Sequence, residues 1–292
     1  MTKETKLALI RKDVVDVVAA RVRDLNNRGE INFPVNYSPE NAMKSAWLSL
    51  QETVDKTGRP VLEACTKDSI ANALLNMVVQ GLNPAKKQGY FIAYGKSVIF
   101  QRSYFGSMAL CKNLAGAQEV NAQVVYGGDE FEYEIKNSKK IIVSHVQNIK
   151  NVHNDNIVAA YCTIAWPDGR QVTDVMTFEA ITGAWKQSKL HPIDAKGKVK
   201  PDSTHGKFTA DMALKTVINH ACKAVINSTD DGSLVFQHIK MADDIAAEAE
   251  VIEEVEDHAN RELIDIEPQN ELESDEPNNQ EGSDMTPDPA GY

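Results

Sequence analysis

GYFIAYGKSVIF, residues 89–100, holds a glycine, a spacer and then Gly95-Lys96-Ser97, the ingredients of a nucleotide-phosphate loop. Such a loop needs four residues between its first glycine and the Gly-Lys-Ser/Thr, because a nest of backbone amides must form between a strand and a helix. Here five intervene, residues 90–94, and most are bulky. Tyr90, Ile92 and Tyr94 alternate with Phe91 and Ala93, and beyond the turn Val98, Phe100, Arg102 and Tyr104 alternate with Ile99 and Gln101. A period of two predicts a β-hairpin turning at residues 94–97. A short helix over 105–115, stopped by Gly116, follows it. Length, composition and context all exclude an ATP-binding loop.

Upstream of the hairpin the period is helical. Leu7, Ile10, Val14, Val17, Val18 and Val22 share a face over residues 6–25. Ser38 as N-cap and Pro39 at the first helical position open a second helix, through Met43, Trp47, Leu50 and Val54. A third spans 66–80 and closes on Gly81 and Pro84. Downstream, strands are expected at 120–125, 131–135, 141–146, 158–165 and 171–178, the last two joined by the Pro167-Asp168-Gly169 turn. Helices are expected at 177–188 and 207–227, with Leu214, Val217, Ile218, Ala221 and Val225 as the core stripe of the second. The fold class is α+β: N-terminal helices, a small central antiparallel β-meander packed on a long helix, a C-terminal helix and a disordered acidic tail. We expect a binding domain over residues 1–240 and the tail over 241–292, with a weak helix at 245–255.

Charge divides the chain at the same place. Residues 241–292 hold 18 acids and one base, Arg261, which leaves 30 bases and 24 acids in residues 1–240. A basic body with an acidic tail is the pattern of a polyanion binder whose tail either contacts a partner or keeps the protein soluble. Cys65, Cys111, Cys162 and Cys222 are too scattered for a zinc or redox motif and read as buried thiols. No window is apolar enough to span a membrane, and residues 1–12 lack a signal-peptide core, so a cytoplasmic protein is expected.

Two basic clusters stand out. Lys86, Lys87, Lys96 and Arg102 are interleaved with Tyr90, Phe91, Tyr94, Phe100, Tyr104 and Phe105, and residues 86–112 contain no acid. Cations that neutralise phosphates beside rings that stack on bases are the means of holding a single strand. The second cluster comprises Lys186, Lys189, Lys196, Lys198, Lys200 and Lys207, continued by Lys215 and Lys223. Lys207, Lys215 and Lys223 recur every eight residues and can share a broad helix face. His191 and His205 read as solvent-exposed. Carboxylate pairs Asp129/Glu130 and Asp230/Asp231 fall at turns without a neighbouring metal-ligand pattern. A metal-dependent nuclease and a duplex-DNA-binding regulatory protein stay open as alternatives.

VVQGLNPAKKQGYFIAYGKSVIFQRSYFGSMAL (78–110), TFEAITGAWKQSK (177–189) and DMALKTVINHACK (211–223) resemble, in order, the motifs of the RecT family of phage recombinases. The resemblance covers about residues 5–235. It implies ATP-independent binding of single-stranded DNA, annealing of complementary strands without bond chemistry, and self-assembly into rings or helical filaments. It also implies a core shared with Redβ, with a basic groove outside the oligomer. Its implied partners are single-stranded DNA, the annealed duplex intermediate, a phage exonuclease and the host single-strand-binding protein. No cofactor is expected beyond magnesium as a modulator of annealing.

From the residues, the groove is assigned to Lys86, Lys87, Lys96, Arg102, Tyr104, Lys112, Lys186, Lys189, Lys207, Phe208, Lys215 and Lys223, with Tyr94 or Phe208 wedged between bases. Surplus apolar positions Val14, Val15, Val17 and Val18 predict subunit contacts through the first helix. The acidic tail is expected to compete with DNA for the groove.

Overall fold

The structure is a computed structural model that describes residues 9–188, 191–229, 235–241 and 243–244. The expected disordered tail, with its helix at 245–255, lies outside the described residues, as do Lys189, Asp230 and Asp231.

The α+β class holds. A π-turn at Lys12–Asp16 leads into α1 (Val17–Asn27), followed by α2 (Pro39–Glu52), α3 (Val61–Ala64) and α4 (Lys67–Val79). Ser38 caps α2 by accepting from the Asn41 amide at 3.2 Å, with Pro39 at the first helical position. Thr66 caps α4 in the same manner. Val14, Val18, Val22 and Leu25 are buried in the common core, and Val15 packs against it. That burial accounts for most of the apolar surplus from which subunit contacts were expected; of the four valines only Val17 stays exposed.

The hairpin forms as its alternation predicts, as β1 (Gly89–Tyr94) and β2 (Ser97–Arg102). Gly95 opens the two-residue loop at φ +56°, a conformation that costs glycine little. The tip is tied to the start of α4, where the Thr66 amide donates to the Lys96 carbonyl and the Val98 amide to Ser69 Oγ. At the other end of the hairpin α5 (Tyr104–Ala115) begins, capped by Ser103 and ended by Gly116 at φ +66°.

Beyond α5 come β3 (Glu119–Tyr126), β4 (Glu130–Lys136), β5 (Lys139–Val146), β6 (Ile157–Ala165) and β7 (Gln171–Thr177), then α6 (Phe178–Trp185), α7 (Thr204–Lys207) and α8 (Thr209–Asn227). All five strands join one antiparallel sheet in the order β3-β6-β7-β5-β4. The strands thus do not follow chain order as a simple meander would: two hairpins lie side by side, and β3 reaches across to β6. The sheet packs on α8, whose Ala213, Val217, Ala221 and Cys222 are buried with Ala160, Cys162 and Ile164 of β6. The last helix starts later than expected, because Phe208 (φ −126°, ψ 48°) breaks it from α7. Among the described residues no helix is long and apolar enough to cross a membrane.

Candidate nucleic-acid interface

Between α4 and β1 the chain makes a tight knuckle. Asn83 Oδ1 accepts from the Ala85 amide at 2.9 Å, Gln88 Oε1 accepts from the Asn83 amide at 2.8 Å, and Lys87 sits in the left-handed region at φ 55°. Lys86 and Lys87 are exposed on it. The knuckle is pressed onto the first turn of α5: Ser103 Oγ donates to the Lys87 carbonyl at 2.6 Å, and the Ser103 amide donates to the Gln88 carbonyl at 3.1 Å. Gly106 permits this approach, since a Cβ there would stand 2.1 Å from the Gln88 oxygen.

Aromatic residues follow the knuckle in β1 and begin the helix it is pressed on. Tyr90 leaves β1 on the face opposite buried Phe91 and is 54% exposed; Phe105 is 41% exposed, with its ring centroid 4.0 Å from that of Tyr104. The Tyr104 phenol is shifted upward by burial, then by the charges of Asp211 and Tyr90, which places the first turn of α8 beside it. Three residues before Asp211, at the break between α7 and α8, Phe208 is 56% exposed and Lys207 is exposed next to it. The structure thus places Lys86, Lys87 and Tyr104, three of the residues assigned to the groove, at the same end of the hairpin as Tyr90 and Phe105, which were not assigned to it. The period-two pattern held the signal for Tyr90, because it alternates with core residues.

Other expected members lie apart. Lys96 is at the far tip of the hairpin, roughly 17 Å from its base at the rise of an extended strand. Arg102 is held inside: its side chain is 13% exposed, and it donates to Gln80 Oε1 at 3.0 Å and Asp243 Oδ2 at 3.1 Å. Lys112 borders a separate cleft with Asn32, Pro34 and Val235. Tyr94 is half-buried in β1.

Lys215 borders a third surface. Trp185 is buried, donates from Nε1 to Thr216 Oγ1 at 2.8 Å and meets His205 edge-on at 4.8 Å. His205, expected in solvent, is buried against that ring, and its Nδ1 has no hydrogen-bond partner among the described residues. Burial first, then the Lys215 charge, pushes its pKa down and favours the neutral ring. Lys215, Gln187, Ser188 and Asn219 line a cleft of about 340 Å³ beside it. Lys186 lies at a neighbouring cleft with His191 and Lys196. Lys223 is exposed further along α8, so the eight-residue recurrence on one helix holds for Lys215 and Lys223 but not for Lys207.

Asp129 is a structural hub. It accepts from Asn151 Nδ2 at 2.9 Å and from the Tyr126 amide at 2.9 Å, with Gln147, Asn148 and His145 around it. Burial opposes its charge, but those hydrogen bonds outweigh it and hold the carboxyl down to about 2. Among the described residues no group of three His, Cys, Asp or Glu side chains is placed to hold a metal ion.

Fold and surface define an α+β protein that presents cations and aromatic rings together on its outside. Over residues 40–259 the sequence matches the RecT family, and the chain belongs to that family, whose members serve single-strand annealing in phage recombination. A comparison with curated proteins finds no match.

Proposed function

We propose that the protein binds single-stranded DNA along its basic surface and anneals complementary strands without ATP and without breaking or forming covalent bonds. The observation that carries this reading is that the knuckle bearing exposed Lys86 and Lys87 is bonded through Ser103 to the start of α5, where Tyr104 packs on exposed Phe105, with exposed Tyr90 on the adjoining strand. Lysines there neutralise backbone phosphates, and the exposed rings stack on bases, a combination indifferent to sequence. Sequence is then read by base pairing alone. The main barrier to annealing is repulsion between two phosphate backbones, and cations repeated along an assembly lower it. Lys207 at the end of α7 and Lys215 and Lys223 on α8 supply further exposed cations for the backbone.

In this reading copies of the chain associate on DNA as rings or helical filaments. The protein acts in the cytoplasm of a bacterial host on single strands supplied by a phage exonuclease and shared with the host single-strand-binding protein, and magnesium modulates the rate. Mixing complementary oligonucleotides without nucleotide, with and without magnesium, and following pairing and strand length tests the reading. Accelerated pairing of intact strands supports it. Shortened strands would indicate a nuclease, and preference for duplex without faster pairing a regulatory DNA-binding protein.

A further inference from the structure

We propose that the β4–β5 hairpin of one copy docks on the 196–200 loop of a second copy, head to tail. The inference rests on the self-association in the proposed function and names the surfaces that carry it.

The hairpin is the most apolar exposed region among the described residues. Tyr133, Ile135, Ile141, Val143 and Val146 are all exposed, Ile135 by 69%. Exposed apolar surface of this density on a soluble domain marks an interface. The hairpin also forms an edge of the sheet: among the described residues β4 pairs with β5 alone, and β5 meets β7 through Lys140 and Thr173. An open edge with apolar side chains is a ready template for another chain.

Charge selects the occupant. Glu130, Glu132 and Glu134 alternate along β4, opposite Val146, Ser144 and Ile141 across a register shift between Glu132 and Tyr133, and Lys136 ends the row at the turn. All three are exposed. Two copies pairing β4 with β4 would set these carboxylates against each other, which is unfavourable. A symmetric dimer through this edge is thereby disfavoured. The same chain carries the complement: Lys196, Lys198 and Lys200, also alternating and exposed, on a loop shaped by the Ile193–Val199 bridge and by the Asp194 carboxylate, which accepts from the Lys196 and Lys198 amides. Neither row is neutralised by an ion pair among the described residues. An apolar hairpin with a row of glutamates along β4, its lysines Lys136, Lys139 and Lys140 gathered at the turn end, and a basic loop on the same chain make a heterologous contact, and heterologous contacts build rings or open filaments.

Charge reversal tests this. One variant carries Glu130→Lys, Glu132→Lys and Glu134→Lys, and a second carries Lys196→Glu, Lys198→Glu and Lys200→Glu. Each alone presents like charges on both surfaces, so sedimentation velocity should show the protein concentration needed for assembly rising about tenfold or more. Mixing the two variants should restore assembly, because alternating copies regain opposite charges at every contact. Circular dichroism checks that both are folded, and binding of a short oligonucleotide is measured in parallel. Assembly of either variant like the wild type, failure of the folded mixture to assemble, or a wild type that stays monomeric would overturn the proposal. If the lysine variant loses oligonucleotide binding yet still assembles, the loop belongs to DNA; the inference then fails while the single-strand reading stands. Charge-dependent assembly of a wild type that binds no single strands has the opposite meaning: the docking surfaces stand and the single-strand reading fails.

Discussion

Ser103 Oγ donates to the Lys87 carbonyl at 2.6 Å while accepting from the Gly106 amide at 3.3 Å, so one hydroxyl caps α5 and fixes the lysine knuckle to it. The lysines are thus presented by the same contact that starts the helix.

Ser103→Ala removes both bonds. Loss of an N-cap costs about 0.5–2 kcal/mol, which urea unfolding would register. Gly106→Ala forces a methyl group against the Gln88 carbonyl, an overpacking that costs about 1–3 kcal/mol. Both variants should lose affinity for single strands beyond what Lys112→Ala loses. Affinity that is unchanged in a destabilised protein would detach the knuckle from binding.

Lys86→Ala, Lys87→Ala and Lys215→Ala should each reduce the slope of log affinity against log salt by about 0.7, one phosphate contact on a single strand. Arg102→Ala should leave the slope unchanged and lower stability instead, because its guanidinium is committed to Gln80 and Asp243. A flatter slope for Arg102→Ala would show that DNA displaces Asp243.

Tyr90→Ala and Phe105→Ala should each weaken single-strand binding by about 1–3 kcal/mol with the salt slope preserved, as expected of stacking rather than of charge. Phe208→Ala offers the comparison at the start of α8. Equal affinities across all three variants would confine binding to the cations.

Asp129 gives a pH dependence of known sign. Its carboxyl is held to about 2 in the folded chain and lies near 3.9 when unfolded. A depressed carboxylate stabilises fully above the unfolded value and loses that contribution as pH falls toward the folded one. Melting temperature should therefore fall between about pH 5 and pH 2 more steeply in the wild type than in Asp129→Asn. Parallel curves would remove the hub from the acid limb.

Local chemistry was legible in the sequence, and distant pairing was not. The β1–β2 hairpin followed from alternation plus Gly95, and the cap at Ser38 from its side chain and the proline after it. Arg102 looked equivalent to Lys87, because its partner Asp243 is far along the chain. His205 looked exposed, since the ring that buries it belongs to Trp185 on another element. Val14 and Val18 looked surplus until the packing of helices and hairpin showed where they are buried. Strand order escaped for the same reason, since nothing local in β3 specifies that it pairs with β6.

The most direct measurement is the rate at which complementary oligonucleotides pair in the presence of the protein, without nucleotide, for the wild type and for Lys86→Ala/Lys87→Ala combined with Tyr90→Ala. The account predicts rapid pairing of intact strands by the wild type and pairing close to the protein-free rate for the variant. Wild-type pairing no faster than without protein, or a folded variant that anneals at the wild-type rate, would contradict it.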